Sequence, residues 1–241
     1  MLKSYQSSRQ GNYLSTVGFA DFWGQKYATQ GQYFFTRVIS QRIGSVIAYL
    51  ANRANLSPNA VTMIGMPFML GASYCLALSS KDSSYSYLAL LLYQLGFGFD
   101  CADGQLARAT KRASEFGAWL DNVCDHIRYV SIILALGAVF VFGSTVPVAA
   151  IGLSLLLLGS GLSVGLHTVS TLRVGSYHPH GLTGVADIAK RVTKELSDTP
   201  LFLLLICLLV KLPVVLAIYI SAIGLMNLVQ AIALGLLRIR G

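Results

Sequence analysis

Acidic residues are scarce in this chain. Only 10 of its 241 residues are Asp or Glu, against 18 Lys and Arg. Charged residues of both signs make up 12%, where a soluble domain carries about a quarter. That shortage excludes a water-facing surface over most of the sequence. Cysteine is scarce too, and Cys75, Cys101, Cys124 and Cys207 show no CxxC spacing, so neither a disulfide framework nor a zinc site is expected. Lying in or near apolar runs, the four read as small buried hydrophobes. The first thirty residues hold no apolar core segment, so no cleavable signal peptide is expected, and no solenoid repeat is present. The net charge of +8 is spread over several loops without a soluble basic domain, which argues against a nucleic-acid partner.

What remains is apolar length. Runs of about 20 residues can cross a hydrocarbon core roughly 30 Å thick. Six are found, at about 58–80, 84–107, 116–142, 146–171, 199–212 and 213–236. The fifth is short, and Pro213 leaves little room for a turn after it. The expected fold class is an all-α integral membrane protein of six transmembrane helices plus an N-terminal cytoplasmic amphipathic interfacial helix. Lys3, Arg9, Lys26, Arg37, Arg42 and Arg53 precede the first span, and Arg108, Lys111 and Arg112 separate the second from the third. Arg173, Lys190, Arg191 and Lys194 follow the fourth, Arg238 and Arg240 come last, and the other side has only Lys81 and Lys211. Positive-inside bias therefore places both termini in the cytoplasm. A bacterial inner membrane is the expected location.

Three regions are expected. Residues 1–33 form an irregular cytoplasmic extension, 34–56 an amphipathic juxtamembrane helix, and 57–241 the six-helix domain. In the second region Val38, Ile39, Ile43, Ile47 and Leu50 recur at helical intervals, with Arg37, Gln41, Arg42 and Arg53 between them. Such a helix lies on a membrane interface or packs on the end of the bundle. Ser57 and Pro58 read as the N-cap and first turn of the first span.

Five of the ten acidic residues (Asp100, Asp103, Glu115, Asp121 and Asp125) fall between Phe99 and His126. Asp100 and Asp103 share a helical face that Gly104 and Ala107 continue, and Gly117, Asp121 and Asp125 form a second stripe at intervals of four. The two stripes lie on antiparallel neighbours and converge near the cytoplasmic end of the bundle. Four carboxylates there need countercharge. Hard divalent cations such as Mg²⁺ or Mn²⁺ supply it through oxygen ligands, and a pair of them can clamp a phosphate. Arg108 stands where a guanidinium would meet phosphate oxygens. The residues thus point to metal-dependent chemistry on an anionic, phosphate-bearing substrate.

The run Asp100-Cys-Ala-Asp103-Gly104-Gln-Leu-Ala107-Arg108, eight residues, Gly117, three residues, Asp121, three residues, Asp125 resembles the signature of the CDP-alcohol phosphotransferase family. The resemblance covers most of residues 35–240. It implies that Asp100, Asp103, Asp121 and Asp125 bind two Mg²⁺ or Mn²⁺ ions and that Asp125 is also the general base. It implies that Gly104 and Arg108 contact the CDP portion and that Ala107 and Gly117 line the same site. Asn59, Ala60, Val61 and Thr62, in a segment similar to the family's at the start of the first span, would line the nucleotide site, with Ser114 near the cytidine diphosphate. The implied reaction transfers the phosphatidyl group of CDP-diacylglycerol, a membrane-lipid substrate, to the hydroxyl of a polar alcohol, with release of CMP. A homodimer is the family expectation.

Arg128 and Arg173 are the cations available to an anionic acceptor. Relatives that take phosphorylated inositol carry a Lys near the place where this chain reads STLRVG, with Arg173 nearest. Arg128, three residues beyond Asp125, serves equally to neutralise the site. His167, Thr168, Ser170 and Thr171 stand toward the cytoplasmic end of the fourth span and either line an acceptor pocket or bond across helices. Three other readings stand beside this one. A soluble CDP-alcohol donor would use the same site with a lipid acceptor. An ion-coupled transporter would place its acids near the midplane instead. A structural ion-pair network would join the Asp cluster to Arg108 and Arg128. His178 and His180 read as loop residues, and Glu115 as a helix N-terminal charge favoured by the dipole.

Overall fold

The computed structural model describes residues 17–23, 33–142, 153 and 199–239, and all the elements among them are helical. In chain order they are α1 (Phe19–Trp23), a π-helical turn (Thr36–Ser40), α2 (Gln41–Arg53), α3 (Pro58–Leu78), α4 (Ser84–Ala109), α5 (Glu115–Phe142), α6 (Thr199–Leu209) and α7 (Pro213–Ile239). Five of these, α3 to α7, begin at or within one residue of an expected span. The expected span at 146–171 lies outside the described residues apart from Leu153, as does most of the 1–33 extension.

Local chemistry sets the boundaries. Ser57 accepts the Ala60 N–H on its hydroxyl at 3.2 Å, and Pro58 opens α3 where its missing N–H leaves no partner wanting. Asp82 does the same for α4, accepting the Ser84 N–H at 2.9 Å; that bond holds the exposed carboxyl below its usual range. Ser114 accepts the Gly117 N–H at 3.0 Å and starts α5, with Glu115 in its first turn. Two helices end in left-handed residues, Asn55 after α2 and Lys111 after α4, each with φ of 54°.

Among the described residues, α3 and the Glu115–Val141 stretch of α5 are long and apolar enough to cross a membrane. Large apolar side chains stay exposed along α3, α4 and α5, among them Met63, Leu91 and Leu134. In water so much exposed apolar surface would drive association; in hydrocarbon it is the ordinary outer face.

The chain forms two compact units, Met1–Cys75 with Tyr87–Ile132, and Leu76–Ser86 with Ile133–Gly241. In the second, Leu203 and Ile206 of α6 and Leu216 and Ile220 of α7 are fully buried, and Phe202 meets Tyr219 at 5.8 Å between ring centroids. The first unit holds the whole Asp cluster. Its helices pack backbone to backbone through glycine. A Cβ on Gly98 of α4 would sit 2.5 Å from Ile43 Cγ2 of α2, and one on Gly44 would sit 2.8 Å from Cys101 Cβ. Gly65 of α3 and Gly96 of α4 abut Phe99 and Met69 just as closely. Such contacts let helices associate where lipid offers no hydrophobic drive between them.

The face that α2 turns inward is small and polar. Gln41, Gly44, Ser45, Ala48 and Ala51 are buried, whereas Val38, Ile39, Val46 and Leu50 are exposed. The buried groups find partners. Gln105 of α4, fully buried, donates from Nε2 to Gln41 Oε1 at 2.6 Å and to the Gln41 carbonyl at 3.1 Å. The Ser45 hydroxyl has the Gln41 carbonyl, the Phe22 carbonyl and Gln105 Oε1 within 3.1 Å. The same contact draws α1 onto α2, where Arg42 lies over the Trp23 ring at 4.8 Å and donates to the Trp23 carbonyl.

Candidate active site

Three helices of the first unit supply the site: the opening turn of α3, the end of α4 and the start of α5. Asp100, Asp121 and Asp125 come together, each with a carboxylate oxygen within 4.8 Å of the others. Three like charges so close repel, and Arg128, one turn along α5, supplies countercharge. Its Nη1 lies 3.3 Å from Asp100 Oδ1 and its Nη2 2.7 Å from Asp125 Oδ1, while the guanidinium sits 5.3 Å from the Phe97 ring centroid. Asp125 Oδ1 is buried and meets no donor with good hydrogen-bond angles, so the pair is ionic more than directional. The donor set is all oxygen and comes from two rigid helices, which fits a hard divalent cation.

Asp103 stands apart from that trio. Its Oδ2 accepts from the Thr62 hydroxyl of α3, which also lies 3.2 Å from the Pro58 carbonyl. Asp100, Asp121 and Asp125 thus meet directly, and Asp103 lines the adjoining cavity together with Asp121. Three residues on a helix advance by about 300°, so Asp103 is rotated roughly 60° from Asp100 toward α3.

A cavity of about 180 Å³ opens beside Asp103 and Asp121. Asn59 and Thr62 form its α3 wall, Gly104, Ala107 and Arg108 its α4 wall, and Ser114 and Gly117 its α5 wall. Ala60 and Val61 do not line it. Asn59 and Thr62 share a face at i, i+3, which turns the two residues between them elsewhere, and Val61 is buried in the core with Ala102 and Leu106. The Arg108 guanidinium folds back over Gly104, where a Cβ would lie 3.1 Å from Nη1. On Gly117 a Cβ would lie 3.1 Å from both Asn59 Oδ1 and Ser114 Oγ. The two glycines therefore clear the cavity wall for the polar groups around it. A second, far smaller cavity of about 10 Å³ lies between Asp100, Asp125, Arg128, Thr62 and Gly96.

Arg112 and Ala118 also line the large cavity. Sequence reasoning used Arg112 only as an inner-side charge, because it belongs to no fixed position of the signature. Arg173, His167, Thr168, Ser170 and Thr171, considered for the acceptor, lie outside the described residues, as do His178 and His180. Glu115 stays exposed at the start of α5, outside the group that could hold an ion.

The chain is 37% identical over 99 residues to the archaetidylinositol phosphate synthase of Pyrococcus horikoshii, covering 40% of this chain and 48% of that protein. It is 34% identical over 121 residues to the bifunctional IPC transferase and DIPP synthase of Archaeoglobus fulgidus, covering 49% and 22%. Against the phosphatidylinositol phosphate synthase of Mycobacteroides abscessus the figures are 32% over 111 residues, covering 45% and 49%. The chain thus spans half or less of the length of these curated relatives. Residues 55–237, well over half of the sequence, match the model of one family, and on that match the chain belongs to the CDP-alcohol phosphatidyltransferase family.

Proposed function

We propose that this chain is a metal-dependent phosphatidyltransferase of phospholipid synthesis, which moves the phosphatidyl group of CDP-diacylglycerol to the hydroxyl of a polar alcohol. The observation that carries the reading is the meeting of Asp100, Asp121 and Asp125 within 4.8 Å, next to a cavity walled by Asn59, Thr62, Gly104 and Arg108. Asp100, Asp121 and Asp125, together with Asp103, would hold two Mg²⁺ or Mn²⁺ ions. Bound there, the ions would supply positive charge against the phosphate oxygens of the donor.

The chain's own groups then have separable tasks. Arg108 binds the diphosphate, and Asn59, Ser114 and the clear space at Gly117 receive the nucleotide. Asp125 takes the proton from the acceptor hydroxyl as its oxygen attacks the phosphorus next to the diacylglycerol. The bond from that phosphorus to the bridging oxygen breaks, and CMP leaves with the electron pair. Arg128 orients Asp100 and Asp125, since both ends of its guanidinium face them.

The names of the relatives support a phosphorylated polyol such as inositol phosphate as acceptor, and Arg173 is the cation this chain offers for it. Six spans with both termini cytoplasmic, α2 on the inner interface and a homodimer complete the proposal, in a bacterial inner membrane. The exposed edge of Val38, Ile39, Val46 and Leu50 supports the placement of α2.

The test is CMP release from CDP-diacylglycerol by the purified chain with Mn²⁺ or Mg²⁺, against inositol phosphate, glycerol phosphate and serine. Metal-dependent CMP formation with one acceptor, abolished in Asp125→Asn, is the expected result. CMP formed only from a soluble CDP-alcohol with a lipid acceptor would reverse the division of donor and acceptor. Ion flux without CMP would overturn the transferase reading.

A further inference from the structure

We infer that Arg112 is a second diphosphate-binding cation of the large cavity, carried there by the left-handed turn at Lys111. The inference rests on the cavity's being the nucleotide site. It deepens that reading by adding a residue that no fixed position of the signature contains.

The end of α4 supplies the geometry. The helix closes at Ala109, and Thr110 still donates its N–H to the Leu106 carbonyl at 2.9 Å. Lys111 then turns to φ 54°, a region that disfavours any residue carrying a side chain. With that turn the Arg112 N–H reaches back to the Ala107 carbonyl at 2.9 Å. This six-to-one bond over a left-handed residue is the Schellman closure of a helix. A glycine usually takes the left-handed place, and here a lysine does. The closure folds the next residue against the end of its own helix instead of letting it run on toward α5.

Ala107 is itself part of the cavity wall, so a residue pinned to its carbonyl is held at the cavity's edge. Arg112 lines the cavity beside Arg108 and is only partly exposed, whereas its neighbours Lys111 and Ala113 are exposed. Among the described residues Arg112 forms no ion pair and no side-chain hydrogen bond. A guanidinium so placed keeps its N–H donors available to an incoming ligand.

Charge gives the second argument. A diphosphate diester brings two negative charges, and Arg108 alone offsets one. The other ionic residues on this wall are Asp103 and Asp121, whose charge belongs to the cation site. Arg112 is the cation on the wall that stays uncommitted, and its fork geometry suits two phosphate oxygens better than an ammonium would. Residues of this kind hold the substrate and the departing nucleotide alike, so they act on affinity more than on the chemical step.

The experiment measures binding of CDP and of CMP to the purified full-length chain in detergent with Mn²⁺ by calorimetry, beside the steady-state kinetics. Arg112→Gln is expected to weaken CDP binding about tenfold and to raise KM for CDP-diacylglycerol by a similar factor. The expected changes in kcat and in KM for the acceptor stay within about twofold. Arg112→Lys, which keeps the charge and loses the fork, should fall between the two. Lys111→Val, which disfavours the left-handed turn and leaves Arg112 in the sequence, should reproduce the loss. CDP bound equally by Arg112→Gln and the parent chain would overturn the inference while leaving the proposed function standing. A parent chain that binds no CDP and releases no CMP would remove both. A loss confined to kcat, with CDP binding intact, would also overturn it.

Discussion

Replacing Gln105 by Leu tests the contact that orients the metal-bearing helix. Gln105 lies on α4 two residues after Asp103 and faces away from the cavity, toward α2. Leucine has a similar volume, so the substitution leaves little cavity and isolates the polar term. It removes two bonds donated to Gln41 and one acceptor of the Ser45 hydroxyl. The Gln41 carbonyl and the Ser45 hydroxyl keep each other at 2.8 Å, so their loss is partial. Gln41 Oε1 has no such reserve and stays buried without its donor, which costs about 1–3 kcal/mol. The bonds themselves add about 0.5–1.5 kcal/mol each in water, and nearer 0.6 kcal/mol each between membrane helices. The sum is a loss of about 2–4 kcal/mol. Equilibrium unfolding in mixed micelles reads it, and a double-mutant cycle with Ser45→Ala should show a coupling of about 0.5–1.5 kcal/mol. A Gln105→Leu chain within about 0.5 kcal/mol of the parent would refute the account, because the network would then contribute nothing beyond filling space.

Two further outcomes follow from packing. Gly98→Ala places a methyl group 2.5 Å from Ile43 Cγ2, and the overpacking cost of about 1–3 kcal/mol should exceed the helix-propensity gain of about 1 kcal/mol; adding Ile43→Ala should recover part of the loss in the same unfolding assay, and no recovery would show that the clash is relieved elsewhere. Cys75, Cys101, Cys124 and Cys207 are all free and buried, so a maleimide should label the folded chain slowly and the denatured chain at four sites, with prompt labelling of the native protein the contrary result.

The helix starts were legible because each is written in one or two residues. Ser57 with Pro58, and Pro213, declare themselves by capping chemistry and by a missing N–H, and α3 and α7 begin at those prolines. The Asp stripe was legible as a pattern, since i, i+3 and i+4 spacings survive into any helix. What the spacing could not carry was azimuth. A 60° rotation between Asp100 and Asp103 decides whether a carboxylate joins Asp121 or reaches Thr62, and that depends on how far α3 lies around α4. The same limit applies to Ala60 and Val61, which share the first turn of α3 with Asn59 and Thr62 but not a face. Arg112 escaped because its position follows from one backbone dihedral at Lys111, and lysine gives no sign that it will turn left-handed. In α2 the apolar stripe was plain, whereas the inward role of Gln41, Gly44 and Ser45 needed Gln105, sixty residues away in sequence, to become visible.

The outward apolar edge and inward polar face of α2 mean that cohesion and solvation are carried by different residues of one helix. In a water-soluble helix the same leucines and valines do both jobs, so changing the solvent changes the fold. Here the attachment of α2 to α4 is made of amide hydrogen bonds and of close packing at Gly44 and Gly98, the latter against Ile43. Val46 and Leu50, with Val38 and Ile39 of the preceding π-helical turn, answer only to the medium outside. The medium can therefore be changed without rewriting the joint. Transfer between lipids of different thickness, or into detergent, acts on one set of side chains while the other keeps α4 and its aspartates in register.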